Sequence, residues 1–174
     1  MRLLFEIDTK DYDISGRKLV RDAARSIIIR NGKIALVHSL KYDYYKFPGG
    51  GIEDGESKLD ALVRETLEEA GLVVIPGSIA EYGYVHRIQK SFQSGEFEIF
   101  EQGNYYYFVR VEENASSQDL DDYEAEESFT LEYVEPETAV AANRKPDHGP
   151  KDENMIEREA KVLEMLINEG YFHK

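Results

Sequence analysis

The chain contains no cysteine and no tryptophan. Without cysteine it forms no disulfide, binds no metal through thiolates and has no thiol nucleophile. Long apolar runs are missing as well. The longest are short segments such as 27–29 and 34–37, whereas a membrane-spanning helix needs roughly 20 apolar residues. These absences exclude a disulfide-dependent fold, thiol chemistry and a helix that crosses a membrane.

Positive charge is also scarce. The chain has 21 lysines and arginines against 35 aspartates and glutamates, so its net charge is −14. Such a field repels nucleic-acid polymers, which bind proteins through neutralised phosphates. Together with the lack of apolar runs, this predicts no nucleic-acid polymer and no membrane among the partners. A small phosphate ligand remains compatible, because a bound divalent cation inverts the local charge.

The composition is that of a folded protein. Hydrophobic residues make up 41% of the chain, which is enough for a packed core. No repeat, low-complexity tract or long linker divides the sequence, so we expect a single domain over residues 1–174. The first residues, MRLLFE, turn polar too soon to be a signal peptide, which makes the cytoplasm the expected compartment.

Hydrophobic patterning predicts a mixture of strands and helices. Segments rich in apolar and β-branched residues place strands at 3–8, 23–30, 33–39, 72–75, 79–88, 104–112 and 129–134. Asn31-Gly32, between the second and third of these, is a strong hairpin signal. Helices are predicted at 57–70 and 152–169, each with apolar residues on one face. Hairpins mixed with two helices indicate an α/β or α+β sandwich.

The remaining segments are expected to be irregular. Pro48 followed by three glycines predicts a loop, and 91–95 is expected to be a polar turn. The acidic stretch 115–127 is expected to be a mobile loop. Two prolines and a glycine within 139–151 prevent that segment from forming one regular element.

The helix at 57–70 has two contrasting faces. Ser57 is placed to cap its first turn and Gly71 to end it. At helical spacing, one apolar stripe contains Leu59, Leu62, Val63, Thr66, Leu67 and Ala70. The opposite arc contains Arg64, Glu65, Glu68 and Glu69.

The crowding of carboxylates on this helix needs an explanation. Glu65, Glu68 and Glu69 are close neighbours, and like charges at these spacings destabilise a helix by roughly 0.2–0.5 kcal/mol per pair. A hard divalent cation would turn this repulsion into binding, because Mg²⁺ prefers carboxylate oxygens. An ordinary solvated acidic face is the alternative. The glycines at 49–51 favour a metal or phosphate site, since their bare backbone can approach a ligand closely.

The run Gly50-x5-Glu56-x7-Arg64-Glu65-Thr66-Leu67-Glu68-Glu69-Ala70-Gly71-Leu72 resembles the Nudix box. That motif reads G-x5-E-x7-R-E-U-x-E-E-x-G-U, where U is aliphatic. Every charged and glycine position fits, and the one departure is Thr66, which lies on the apolar stripe. The flanking strands and the closing helix resemble the family's α/β/α sandwich, in which a mixed β-sheet lies between helices.

The resemblance implies a hydrolase that binds Mg²⁺, or Mn²⁺ in its place, around a pyrophosphate. By position in the motif, Glu68 and Glu69 are expected metal ligands. Glu65 is expected to be a ligand or the base that activates water. Arg64 is expected to orient the glutamates, and the carbonyl of Gly49 to add a backbone ligand. Glu65, Arg64 and Glu68 are thus the expected catalytic residues.

Other residues receive supporting roles. The resemblance assigns Gly50, Glu56 and Gly71 to the structure of the box, with Glu56 bracing its loop or binding the cation through water. Two arginines, Arg25 and Arg30, and one aromatic residue, Phe47, are candidates for substrate binding. An additional acidic residue from outside the box is common in the family, and the candidates here are Glu96, Glu98, Glu101, Glu126 and Glu127.

The expected reaction is metal-dependent hydrolysis of a phosphoanhydride bond in a nucleoside diphosphate linked to another moiety. A nucleoside triphosphate or related small nucleotide is favoured, since the chain is short. A non-catalytic Nudix-fold module that binds or senses a nucleotide is the alternative, although the complete set of box glutamates argues against it. The residues leave the number of metal ions open, and also the oligomeric state, with a homodimer among the alternatives.

Overall fold

The structure is a computed structural model that describes residues 1–93 and 95–173. Its strands are β1 (Leu3–Asp8), β2 (Lys18–Val20), β3 (Ala23–Ile27), β4 (Ile29–Arg30), β5 (Lys33–Ser39), β6 (Tyr44–Lys46), β7 (Gly49–Gly51), β8 (Ala80–Lys90), β9 (Ile99–Phe108) and β10 (Phe129–Val134). Its helices are α1 (Lys58–Ala70), α2 (Asp122–Glu126), α3 (Pro136–Asn143) and α4 (Glu153–Asn168), and Pro76–Ser78 forms one 3-10 turn.

The strands form two sheets. The first has the order β1-β8-β9-β3-β7, with β2 also beside β9, and it mixes parallel and antiparallel pairs. In it β1 runs parallel to β8, and β2 and β3 run parallel to β9, whereas β8–β9 and β3–β7 are antiparallel. The second sheet is antiparallel, with the order β10-β5-β4 and with β6 beside β5.

The predicted strand at 23–30 is divided between the two sheets. Residue Ile28 separates β3, in the first sheet, from β4, in the second. The predicted hairpin follows: Ile29 pairs with Ile34 across a turn in which Asn31 and Gly32 both have positive φ, 52° and 76°. These torsions are those of the turn that Asn-Gly favours. The chain therefore crosses from one sheet to the other within a single extended segment.

Helices α1 and α4 cover opposite faces of the first sheet. The Thr66 hydroxyl of α1 lies 2.6 Å from the hydroxyl of Ser26. Ser26 is on β3 and is paired with Tyr107 of β9. Arg158 of α4 reaches Gln102, which points to the other face of β9, at 3.3 Å. The chain is thus an α+β protein with a mixed sheet between helices, and the expected fold class is confirmed.

The glycine segment is a strand, so the predicted loop is wrong. Gly49, Gly50 and Gly51 pair antiparallel with residues 23–25 of β3 and form an edge of the first sheet. Gly49 has a φ of 142°, and a Cβ there would lie 2.1 Å from the carbonyl oxygen of Ala24. Strand β7 therefore lies closer to β3 at Gly49 than it could if this residue carried a side chain.

Four further expectations differ from the structure. The predicted strand 72–75 is reduced to a single bridge between Val74 and Val111. Strand β9 begins earlier than predicted and ends at Phe108. The acidic segment 115–127 contains α2, whose N-terminus is held by a capping box between Asp121 and Glu124, and α3 was not predicted. The turn expected at 91–95 includes Ser94, which lies outside the described residues.

The buried face of α1 also differs from the predicted stripe. Leu59 and Leu67 are 45% and 37% exposed, whereas Glu69 is completely buried. The helix is rotated so that Leu62, Thr66 and Glu69 contact the sheet, because Glu69 finds polar partners there. Across the part of the chain that the structure describes, no helix combines the length and apolar composition needed to cross a membrane.

Candidate active site

The site lies where the glycine strand β7 meets α1. The Ser57 hydroxyl caps the helix by accepting a hydrogen bond from the Asp60 amide at 3.0 Å, and Gly71 ends it in the left-handed conformation, φ 67°. Between strand and helix, the Glu53 amide donates to Glu56 at 2.9 Å. The predicted caps are confirmed, and they fix which helix residues point at the strand.

Arg64 holds three glutamates together. Its Nε and Nη2 donate to the two carboxylate oxygens of Glu56, both at 2.8 Å. Its Nη1 donates to Glu65 at 2.7 Å and to Glu68 at 3.1 Å, and Nη2 also reaches the Gly51 carbonyl at 3.0 Å. Hydrogen bonds from Arg64 lower the pKa of Glu56 to about 2. One guanidinium thus ties the loop, the strand and the helix to each other.

Glu65 packs directly against the glycine strand. A Cβ on Gly50 would lie 2.3 Å from the Glu65 Oε2 atom, so only glycine allows this carboxylate to sit here. The Glu65 side chain is 16% exposed. Burial raises its pKa, which the neighbouring Arg64 opposes. Glu65 therefore combines a fixed position with a raised affinity for protons.

Glu69 turns into the protein. Its side chain is completely buried, its Oε2 accepts the Gly49 amide hydrogen at 2.8 Å, and its Oε1 is ion-paired with the Lys46 ammonium. Burial raises the pKa of Glu69, while Lys46 and Arg25 oppose that effect. Lys46 could not be selected from the sequence, because it lies outside the motif and in a segment that was not assigned to any element.

These residues offer hard oxygen ligands. Three carboxylates, from Glu65, Glu68 and Glu69, lie on the helix that packs against the glycine strand, and Mg²⁺ prefers carboxylate oxygens as ligands. In residues 1–93 and 95–173 no three His, Cys, Asp or Glu side chains form a ready cation site. Arg64 pairs with Glu65 and Glu68, whereas Glu69 is held separately by Lys46 and the Gly49 amide. The donor set fits a divalent cation, which would take over contacts made by these two cations.

The three candidates for substrate binding are placed very differently. Arg25 lies beside the box, where its Nη1 donates to the carbonyl of Gly49 at 2.9 Å. Phe47 is completely buried and packs edge-on against Tyr106, with ring centroids 5.2 Å apart. Arg30 is exposed on the second sheet, above the ring of Tyr133. Only Arg25 is brought to the box glutamates.

Of the five acidic candidates outside the box, Glu127 shares Tyr44 with Glu69, since the charges of both raise the pKa of that tyrosine, and the other four have partners elsewhere or lie on the surface. Glu127 is buried and accepts hydrogen bonds from the hydroxyls of Ser39 and Tyr44 at 2.9 and 2.8 Å, and it pairs with Lys151. The others lie on the surface or in other networks: Glu126 pairs with Lys41, Glu101 with Lys18 and His86, Glu98 accepts the Asp13 amide, and Glu96 lines a surface pocket with Arg17.

A sixth acidic residue, Glu124, was not among the candidates. It is buried on α2 and accepts the Tyr123 hydroxyl at 3.0 Å. Burial and the charges of Glu124 and Glu69 raise the pKa of Tyr123. The signal in the sequence was the spacing Asp121-x-x-Glu124, which is a capping box.

A family model described as the NUDIX domain matches residues 20–158, which is most of the chain. The protein therefore belongs to the Nudix family, as the resemblance of residues 50–72 implied.

Among curated proteins, the chain is similar to RNA pyrophosphohydrolases. It is 52% identical to that of Ruthia magnifica over 48 residues, 26% of this chain and 27% of the relative. It is 37% identical to that of Sulfurovum sp. over 73 residues, 41% of this chain and 46% of the relative. The chain thus spans between about a quarter and a half of the length of these relatives.

Among solved structures, the fold is similar to that of MutT described from Aliivibrio salmonicida and Vibrio cholerae. The TM-score is 0.55 at 17% identity, covering 87% of this chain and 99% of the other. A NUDIX hydrolase from Nitrosomonas europaea gives a TM-score of 0.51 at 18% identity, covering 74% and 82%. At these identities the likeness concerns the fold alone.

Proposed function

We propose that this protein hydrolyses a phosphoanhydride bond in a small nucleotide, with Mg²⁺ as cofactor and Mn²⁺ as a substitute. The observation that carries the proposal is the Arg64 cluster. One guanidinium gathers Glu56, Glu65 and Glu68 beside the glycine strand, within contacts of 2.7–3.1 Å. A cluster of acids held this firmly against bare backbone supports cation binding better than it supports a solvated helix face.

In this proposal Glu65, Glu68 and Glu69 hold the cation, with the Gly49 carbonyl as a further ligand. The cation, when bound, neutralises phosphate charge and acidifies water. Arg64 keeps the glutamates oriented through its hydrogen bonds. As the alternative to binding the cation, Glu65 accepts the proton of the attacking water, and burial, which raises its pKa, suits it to that role.

Arg25 is the residue that we propose binds a phosphate oxygen of the substrate. Its Nε is buried and has no hydrogen-bond partner within the described residues, while its Nη1 anchors it to the Gly49 carbonyl. A guanidinium held in this way beside the box suits a phosphate oxygen. Phe47 and Arg30 are left out of the proposal, because one is sealed in the core and the other lies on the second sheet.

Glu124 is the acidic residue from outside the box that we add to the proposal. Glu124 accepts the Tyr123 hydroxyl, and Glu127, one of the five residues expected from the sequence, accepts the Tyr44 hydroxyl; the charge of Glu69 helps to raise the pKa of both tyrosines. The negative charge of Glu124 would add to the attraction for a cation held at Glu69. Glu124→Gln is expected to weaken Mn²⁺ binding measured by electron paramagnetic resonance, with Glu126→Gln as the exposed control.

Water is expected to attack phosphorus directly. The chain has no cysteine, and within the described residues no serine or histidine hydrogen-bonds to a box glutamate. No covalent intermediate is therefore expected. In ¹⁸O water, a single turnover should place the label on one phosphorus-bearing product. A phosphorylated protein trapped by acid quench would contradict this mechanism.

For substrate, a nucleoside triphosphate or related small nucleotide fits best with a net charge of −14. The names of the relatives raise a second candidate, the 5′-triphosphate end of an RNA. A panel of free nucleoside triphosphates, dinucleotides and a 5′-triphosphate oligonucleotide separates these substrates. Faster release of phosphate or pyrophosphate from the oligonucleotide than from the free triphosphate would favour the second candidate.

The proposal as a whole is tested by phosphate or pyrophosphate release with and without chelator. Activity is expected with Mg²⁺ and is expected to disappear in excess EDTA. Turnover that persists in EDTA would contradict the proposal. Nucleotide binding without turnover for every member of the panel would instead establish the alternative, a binding or sensing module.

A further inference from the structure

A cavity opens beside the first turn of α1, over strands β8 and β9. Its volume is about 480 Å³, and small-molecule sites in proteins occupy roughly 300–1,000 Å³. The residues that line it are Ser57, Lys58, Leu59, Ile79, Glu81 and Tyr107. We call it the flank cavity. None of these residues has a role in the proposed hydrolysis.

The flank cavity lies apart from the box. Glu81 is on β8 and Tyr107 is on β9, whereas the box adjoins β7, and β3 lies between β9 and β7. Around the helix, Leu59 lies about 120° from Glu65, since successive residues are roughly 100° apart. A molecule in the flank cavity therefore occupies a different place from one held by the box glutamates.

Tyr107 supplies a polar group that has no partner. The residue is 4% exposed, yet its hydroxyl makes no hydrogen bond within residues 1–93 and 95–173, whereas buried polar groups are normally bonded. The hydroxyls of Tyr82 and Tyr106 are unpartnered too, but those two are sealed from solvent and that of Tyr107 is not. Burial, followed by the charge of Glu81, raises the pKa of Tyr107. The hydroxyl is therefore protonated at neutral pH and can donate to a ligand or accept from it.

Lys58 supplies a positive charge that no carboxylate neutralises. Its ammonium lies 4.1 Å from the ring centroid of Tyr105, and it forms no ion pair in the described part of the chain. The first amides of a helix also lack partners inside the helix, and they favour an anion. The Ser57 hydroxyl is not available, because Asp60 uses it in the cap. The anionic group of a ligand therefore belongs at Lys58.

The rest of the lining combines apolar surface with one carboxylate. Leu59 is 45% exposed and Ile79 is half-buried, so both present aliphatic surface against which a flat ring can pack. Glu81 is paired with Tyr107 across β8 and β9. Its Oε2 lies 3.5 Å from the N-terminal amino group, and within the described residues its Oε1 remains an acceptor for a ligand N–H. The cavity thus matches a molecule with a flat ring, an N–H donor and one anionic group.

We propose that the flank cavity binds a nucleoside monophosphate and is a second nucleotide site, separate from the box. The base packs against Leu59 and Ile79 and donates an N–H to Glu81. The Tyr107 hydroxyl bonds to the base or the sugar, and the phosphate lies at Lys58. This inference goes beyond the proposed hydrolysis and does not depend on it, since neither a cation nor a box glutamate takes part.

Methyl NMR locates the ligand without turnover. Adenosine monophosphate is titrated into the metal-free protein in EDTA, with isoleucine and leucine methyl groups labelled. The signals of Ile79 and Leu59 are expected to shift, whereas Ile52, which follows the glycine strand, reports binding at the box. A response of Ile52 alone would place the nucleotide at the box and overturn the proposal.

Two smaller probes test the class of ligand. Adenosine lacks the phosphate, and ribose 5-phosphate lacks the base. Each should bind at least about 10-fold more weakly than adenosine monophosphate, because each loses one part of the contacts while paying a similar cost of association. Ribose 5-phosphate that binds as tightly as the nucleotide would show that the cavity recognises only an anion, and would overturn the proposal.

Two variants test the residues, with affinity measured from the Ile79 signal. Tyr107→Phe keeps the buried ring and should weaken binding about 5-fold, since it removes one hydrogen bond. Lys58→Met should weaken binding about 10-fold, since it removes a charge-assisted contact. Lys161→Met is the matched control, because Lys161 is also an exposed lysine above an aromatic ring, that of Phe5 at 5.5 Å. Parent-like affinity in either Tyr107→Phe or Lys58→Met would overturn the proposal.

The same measurements separate the flank cavity from the proposed function. Hydrolysis of a nucleotide by a protein whose Ile79 signal does not respond would contradict the flank cavity and leave the hydrolase proposal intact. An Ile79 response in a protein that turns over no member of the substrate panel would contradict the hydrolase proposal and leave the flank cavity intact.

Discussion

Helices α1 and α4 each bury one glutamate, and both glutamates hold the same short stretch of backbone. Glu69 of α1 accepts the Gly49 amide at 2.8 Å, and Glu159 of α4 accepts the Phe47 amide at 3.1 Å. Both side chains are completely buried. The segment that leads into the glycine strand is thus held from two sides of the sheet by carboxylates.

The two glutamates differ in which element supplies the positively charged side chain that pairs with them. Glu159 pairs with Arg158, its neighbour in the same helix, and both are sealed in the interior. Glu69 pairs with Lys46, which lies on a different element and stacks above Phe129. A pair within one helix moves as a unit and suits a permanent support. A pair between elements can separate, which suits a carboxylate that we propose binds a metal.

The sharpest test of this comparison is turnover. Glu69→Gln is expected to reduce kcat by at least about 100-fold, because it removes a proposed metal ligand, while Glu159→Gln should change kcat little in the folded protein. Phosphate release and Mn²⁺ binding by electron paramagnetic resonance provide the two readouts. A fall in kcat of the same size in both variants would show that Glu69 and Glu159 do not differ in their contribution to catalysis.

Stability should show the reverse order. Glu159→Gln leaves the Arg158 guanidinium buried without its counter-charge, which is expected to cost about 3 kcal/mol of unfolding free energy. Urea denaturation of the metal-free protein measures this cost. Glu164→Gln on the exposed side of α4 is the control, and its effect should be within about 0.5 kcal/mol. A wild-type-like midpoint for Glu159→Gln would show that the pair is dispensable.

A variant at Thr66 tests whether the packing of α1 can be changed without changing turnover. Its hydroxyl is buried, donates to the Leu62 carbonyl and lies 2.6 Å from the Ser26 hydroxyl. Thr66→Val should therefore leave turnover unchanged but lower stability by about 1–2 kcal/mol, because Ser26 loses its partner. The double variant with Ser26→Ala should recover part of that loss. Additive losses in the double-mutant cycle would show that the two hydroxyls are not coupled.

The smallest expected effect concerns pH. Arg64 depresses the pKa of Glu56 from 4.5 to about 2, so this carboxylate stabilises the folded state fully above its unfolded pKa. The contribution is lost as pH falls through the folded value. Glu56→Gln should therefore lower the melting temperature most at pH 5–7 and progressively less toward pH 2. A melting-temperature difference that stays constant over this range would contradict the assigned partner.

The part of the fold that could be predicted follows local chemistry. The bounds of β1, β5 and β10 agree with the predicted strands, and Ser57 and Gly71 cap α1 as their side chains dictate. Such features depend on residues a few positions apart. The members of the box could be chosen for the same reason, since they recur along one helix and its preceding loop.

What could not be predicted depends on residues far apart in the chain. The burial of Glu69 needs Lys46 and the Gly49 amide, and the burial of Glu159 needs the Phe47 amide. Periodicity alone placed Glu69 on the exposed arc and Leu67 on the buried one. Glycines were interpreted as a loop because their propensity for strands is low, but the backbone contact with β3 overrides that propensity.

The division of one extended segment at Ile28 has a consequence for how this protein can vary. Along β3, Ser26 points to Thr66 of α1, while Arg25 points to the opposite face. Losing or gaining one residue inside β3 would exchange these two faces, since side chains alternate along a strand. Evolution can therefore change side chains here one at a time, but it has little freedom to change the length of the segment. Insertions and deletions should instead accumulate in the turns that flank it.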